Sequence, residues 1–143
     1  MKLGVPTTWP EAVKLLSRSA AAKAVALLTH EARQDRLKLV ASDGLEAEAI
    51  QVLSGEGTRA GWDIPLRALR SRRINVIELA QTNPFVPKAL VAINPRQLTI
   101  AVIPFYHADT AVGVAVLFAP TQRGFPDGML QTVSQALRVC AVA

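Results

Sequence analysis

Four groups of residues in this 143-residue chain have side chains or spacing that could do chemistry. Tyr106-His107-Ala108-Asp109 places an imidazole two positions from a carboxylate, the raw material of acid–base catalysis. No serine or cysteine stands near it in the sequence to complete a nucleophilic set, so His107 reads as an exposed turn residue. Arg59, Arg67, Arg70, Arg72 and Arg73 surround one acid, Asp63, a local excess of four positive charges. Two arginines on one helix face could grip a carboxylate or phosphate through paired N–H groups. The stretch from Arg70 to Arg73 also suits a solvated helix end, where the macrodipole favours cations. Arg59 and Arg67, close to Trp62 and the glycines, are therefore the candidates for ligand contact. Gly55, Gly57 and Gly61 could cradle an anion with backbone N–H groups, but the segment lacks the Lys and Ser/Thr of a P-loop. Its plainer reading is a strand-to-helix bend that needs positive φ. Cys140 is the single cysteine, which excludes an internal disulfide, a cysteine-based zinc cluster or a redox pair. On an apolar helix it reads as a small hydrophobe. His30 and His107 are few for a transition-metal site, and His30 reads as a polar residue at a strand end.

These residues need elements to hold them. Thr8-Trp9-Pro10-Glu11 has the form of a capping box, and Trp9, Val13, Leu16 and Ala20 follow at helical spacing. Ala24 to Thr29 and Leu37 to Ala41 are apolar runs around a polar tip at Gln34-Asp35, which predicts an antiparallel hairpin. Leu45, Ala49, Ile50 and Leu53 predict a short helix after Asp43-Gly44. Asp63 caps a further helix, with Pro65 in its first turn and Leu66 and Leu69 facing inward. Ile74 to Leu79 is strand-like, and Val86, Leu90 and Ile93 mark a brief helix ended by Asn94-Pro95. Leu98 to Phe105 and Val112 to Phe118 are almost wholly apolar, as strands are in the middle of a sheet covered on both faces. Leu130, Val133, Leu137 and Cys140 form a narrow helical seam fit for the core or for a partner helix.

The expected architecture is one α+β domain over residues 1–143. It has a central antiparallel sheet of five or six strands, with the N- and C-terminal helices packed on one face. Short helices and loops cover the other face, with a ligand space between that cover and the sheet. Half the residues are hydrophobic and 19% charged, which excludes a disordered segment. Sixteen basic against eleven acidic residues give +5, a charge that permits an anionic partner without demanding one. The basic residues do not alternate with aromatics and no recognition helix is evident, so nucleic-acid binding ranks behind the other readings. No apolar run approaches the ~20 residues of a membrane span. Residues 1–10 lack the apolar core of a signal peptide, and a cytoplasmic setting is expected.

The order of elements resembles the GAF domain, a small sensory module of signalling proteins, over about residues 16–142. The resemblance rests on Leu39-Val40-Ala41-Ser42-Asp43-Gly44-Leu45 and on Gly55-Glu56-Gly57 with Ala60-Gly61. It rests also on the Leu98–Phe105 and Val112–Phe118 pair with Pro104 and Gly113, and on Phe125-Pro126-Asp127 before the last helix. Pro126 and Gly128 depart from the family's usual cap and acidic residue; PAS domains share the general topology. The resemblance implies a non-catalytic regulatory domain that binds a small molecule and transmits a signal through pairing of terminal helices in a homodimer. A ligand-free dimerisation or protein-interaction module is the alternative. Family members bind cyclic nucleotides, bilins, haem or 2-oxoglutarate, so the fold names no cofactor. Asn83 and Phe85 match part of the cyclic-nucleotide signature, without its lysine or its Asp-Glu pair. Asp63-Ile64-Pro65 matches a bilin-site motif, without the conjugating cysteine or flanking histidines. The cysteines of the catalytic methionine sulfoxide reductase branch are also missing. Arg59, Trp62, Arg67, Asn83 and Phe85 are the candidate ligand residues, with an anionic ligand suggested by the arginines. Leu130, Val133, Leu137 and Cys140 are the candidate dimer helix.

Overall fold

The two most apolar runs pair with each other at the centre of the molecule. In the computed structural model, which describes residues 9–19, 22–54, 62–120, 125, 128, 131, 133–135 and 137, they form strands β4 (Thr99–His107) and β5 (Thr110–Ala119). Their ladder runs from Thr99 opposite Ala119 to His107 opposite Thr110, closed by a turn at Ala108-Asp109 with Ala108 at φ 54°. The strands thus extend past the apolar runs and leave a two-residue loop, and His107 is the last residue of β4 rather than a loop residue. Strands β1 (Ala24–Glu31) and β2 (Arg36–Asp43) make the expected hairpin. A short strand β3 (Asn75–Ile77) adds to the far side of β4. The sheet has five strands in the order β2-β1-β5-β4-β3, and every pairing is antiparallel.

Both faces of the three central strands are buried, because alternate side chains point to opposite sides. Val25, Leu27, Ala101, Ile103, Phe105, Ala115 and Leu117 pack against helix α1 (Trp9–Ser19) through Ala12, Val13 and Leu16. Val133 and Leu137, on helical backbone near the C-terminus, are buried in the same cluster. The terminal helical segments therefore share one face. Trp9 also approaches Phe105, with ring centroids 6.0 Å apart. On the opposite face Ala26, Leu28, Ile100, Val102, Val116 and Phe118 meet three short helices: α2 (Ala47–Leu53), α3 (Ile64–Ser71) and α4 (Lys88–Val91). Each large apolar side chain so buried stabilises the fold by about 1.5–3 kcal/mol.

Two glycines permit close approaches that a side chain would block. Gly113 lies on β5 opposite Thr29, where a Cβ would fall 2.1 Å from the Leu28 carbonyl oxygen. Gly44 turns the chain after β2 at φ +79°, and a Cβ there would lie 2.5 Å from the Lys23 carbonyl oxygen.

Three local expectations are corrected. The strand expected from Ile74 to Leu79 is only three residues long: Leu79 adopts φ 53°, which no ladder accepts, and the Ala80 N–H donates to the Leu98 carbonyl at 2.8 Å. Asp63 holds the N-cap position of α3 but makes no side-chain cap bond; its carboxylate lies instead 3.7 Å from Arg67 Nε. The helix expected around Val86 to Ile93 is confined to Lys88–Val91, although Val86, Leu90 and Ile93 are all buried as predicted.

Candidate ligand site

A cleft of about 320 Å³ opens where the approach to α3 meets the loop after β3. Trp62, Asp63, Ile64 and Arg67 form one wall, and Ile77, Asn83, Phe85 and Val86 form the other. Sequence reasoning chose Trp62, Arg67, Asn83 and Phe85, and the fold brings these four to one place. The fifth candidate ligand residue, Arg59, lies outside the described residues, as does the glycine segment.

Each wall has a local cause. Trp62 is 1% exposed and packs in the cluster beneath the middle helices, but its indole Nε1–H is buried without a hydrogen-bond partner. An orphan buried donor costs about 1–3 kcal/mol, so it needs a reason. Arg67, one turn into α3, is mostly exposed and pairs only loosely with Asp63 across i,i+4. At 3.7 Å the contact is too long for a hydrogen bond, which leaves both terminal amino groups of the guanidinium available. Asn83 sets the facing loop: its Oδ1 accepts the Phe85 N–H at 2.8 Å, and its carbonyl accepts the Val86 N–H at 3.2 Å. This Asx turn around Pro84 holds the Phe85 ring outward, 81% exposed, at the rim of the cleft.

The expected position of the site is also corrected. Directly between the middle helices and the sheet, Ala49, Leu53, Ala68, Leu69 and Leu90 pack onto the strand residues. The cleft lies at the edge of that cover, beside β3. The basic stretch does not converge there. Arg70 Nη2 donates to Asp35 Oδ2 at the tip of the β1–β2 hairpin, and His30 Nε2 lies 2.9 Å from Asp35 Oδ1. These two contacts hold the Asp35 carboxyl below its usual value of 3.8, the His30 bond contributing most. Arg72, expected to be merely solvated, lies over the Tyr106 ring at 4.5 Å and donates to the Asp109 carbonyl at 2.9 Å. Tyr106 in turn donates its hydroxyl to the Leu69 carbonyl at 2.7 Å, and burial pushes the phenol pKa up.

A second cavity of about 330 Å³, lined by Arg72, Ile74, Pro104 and Tyr106 with Gln131, Ser134 and Gln135, lies at the open edge of β4. Nothing in the local sequence marks it, because its walls come from three distant segments. His107 and Asp109 are exposed, and no cluster of metal-ligating side chains occurs among the described residues. Nor is any described helix long and apolar enough to cross a membrane. Of the candidate dimer helix, Val133 and Leu137 face the chain's own core, whereas Leu130 and Cys140 lie outside the described residues.

No protein-family model and no curated protein matches the sequence significantly. Solved structures do match. The GAF domain/HD domain protein from Geobacter sulfurreducens aligns with a TM-score of 0.71 at 13% identity, covering 92% of this chain and 86% of that one. The GAF domain of a two-component sensor histidine kinase from Bacillus halodurans aligns at 0.67 and 16% identity, covering 96% and 93%. The chain has the GAF fold. A third GAF domain, from an Acinetobacter phosphoenolpyruvate-protein phosphotransferase, aligns at 0.67 and 17% identity, covering 94% and 80%. The cleft lies at the rim of the middle-helix cover, and the terminal helical segments occupy the sheet's opposite face.

Proposed function

We propose that this chain is a non-catalytic sensory or regulatory domain that binds a small molecule in the cleft beside Trp62 and Arg67. The observation that carries the reading is the composition of that cleft: a weakly paired guanidinium, an exposed aromatic ring and the apolar side chains Ile77 and Val86 line about 320 Å³. Ligand sites have this form, apolar walls with a few placed polar groups. The similar GAF domains of a sensor histidine kinase and of a phosphotransferase support a regulatory setting. Occupancy would order the Asn83–Val86 loop against α3, and the sheet would carry the change to the terminal helices packed behind it. A ligand shifts that arrangement only as far as it binds two states unequally.

Calorimetry and thermal shift against nucleotides, 2-oxoacids, tetrapyrroles and small carboxylates test this. Binding by one class, lost in Arg67→Gln, is expected; silence from every class overturns it. Signal output is assigned to a homodimer that pairs through the terminal helices. Because Val133 and Leu137 are core residues, pairing must use outward faces such as that of Lys14 and Arg18. The double variant Lys14→Glu, Arg18→Glu should keep the fold and halve the mass measured by light scattering; an unchanged mass overturns the pairing.

A second reading, a ligand-free interaction module, is favoured by the exposed apolar side chains Ile74, Val76 and Leu79 along the β3 edge. It is the outcome if no ligand binds and substitution of these three by serine abolishes self-association.

A further inference from the structure

The geometry points to a small aromatic monocarboxylate as the occupant of the cleft, an inference that rests on the sensor reading above. Charge sets the anion's valence. Arg67 is the one cation among the described lining residues, since Arg70 is engaged by Asp35 and Arg72 by Tyr106 and the Asp109 carbonyl. Asp63 stands beside it, so the local charge is near zero and a phosphate dianion would meet a carboxylate as well as a guanidinium. A single carboxylate suits a single guanidinium fork whose terminal amino groups are not held by Asp63.

Shape and polarity set the rest of the ligand. The volume of about 320 Å³ equals roughly ten waters at ~30 Å³ each, room for one or two rings and not for a tetrapyrrole. Ile77 and Val86 supply apolar walls, and Phe85, whose backbone N–H is bonded by Asn83, offers an exposed ring face at the rim, which favours a flat partner over a puckered one. Trp62, almost wholly buried, backs the same wall.

The test is calorimetry of the full chain with benzoate, 4-hydroxybenzoate, cyclohexanecarboxylate, benzyl alcohol and AMP. Expected is binding of both benzoates. The non-planar acid, the neutral alcohol and the nucleotide should each bind at least tenfold more weakly. Arg67→Gln and Phe85→Ala, both at exposed side chains and checked for folding by circular dichroism, should each weaken benzoate about tenfold. The assignment is overturned if benzoate fails to bind, if AMP or cyclohexanecarboxylate matches it, or if Arg67→Gln leaves its affinity unchanged. A ligand of another class binding in the cleft would overturn this assignment alone and leave the sensor reading standing. Silence from every class overturns both.

Discussion

Single side chains and single missing side chains decide much of this molecule. Gly113 is required because β5 runs between two neighbours and its position faces the Leu28 carbonyl at a distance no Cβ tolerates. Gly113→Ala should therefore lower stability by about 1–3 kcal/mol in urea unfolding, through a forced backbone shift in the central ladder. Asp35 makes a different prediction. Its folded carboxyl titrates below 3.8 because His30 and Arg70 hold the charged form. The stabilisation is present above that value and lost as pH falls through the lower, folded pKa. Thermal melts of the native chain and Asp35→Asn should differ at neutral pH and converge as pH drops below about 3.8. At the cleft, residue type was legible before placement: Arg67 was marked by its charge near Trp62 and the glycines, and Asn83 and Phe85 by their partial match to the cyclic-nucleotide signature. Asp63 was legible only as a cap, because its pairing with Arg67 depends on how α3 begins.

Elements were legible where their periodicity was strong. The β4–β5 pair, the β1–β2 hairpin and the α1 stripe all follow from runs whose burial no other arrangement satisfies. Ile74 to Leu79 looked equally strand-like, yet β3 stops at Ile77, since the bond from Ala80 to Leu98 pulls the chain out of the ladder. A non-local hydrogen bond of this kind leaves no local signal. The same is true of the link between α3 and β4, where Tyr106 reaches the Leu69 carbonyl beneath the Arg72 guanidinium. Tyr106→Phe should cost about 1 kcal/mol in chemical denaturation. The phenol's pKa is raised above its usual 10, so its contribution is full below that value and is lost as pH rises through the folded pKa. The native chain, but not Tyr106→Phe, should lose that increment in alkali. Leu137, fully buried among α1 and sheet residues, should cost about 2–4 kcal/mol when replaced by alanine, measured by urea unfolding.

For the molecule as a whole, one sheet serves two cores, so neither face can unfold while the other stays folded. The two tryptophans report the two sides: Trp9 packs with α1 on Phe105, and Trp62 lies beneath the middle helices. Single-tryptophan variants Trp9→Phe and Trp62→Phe should each show one fluorescence transition, at the same denaturant midpoint as circular dichroism once each variant's own stability is allowed for. Two separated transitions would contradict a shared sheet. Composition and periodicity alone determined that this chain has an antiparallel sheet covered on both faces, with terminal helices together, because apolar area at fixed spacing admits few burial schemes. Tertiary structure alone decided that the middle cover is packed solid, that the cleft lies at its rim, and which arginine faces it. Those outcomes depend on contacts between residues far apart in sequence, and the physical reason is simple: side-chain type states what a group can bond, whereas only the closed fold states what is within reach.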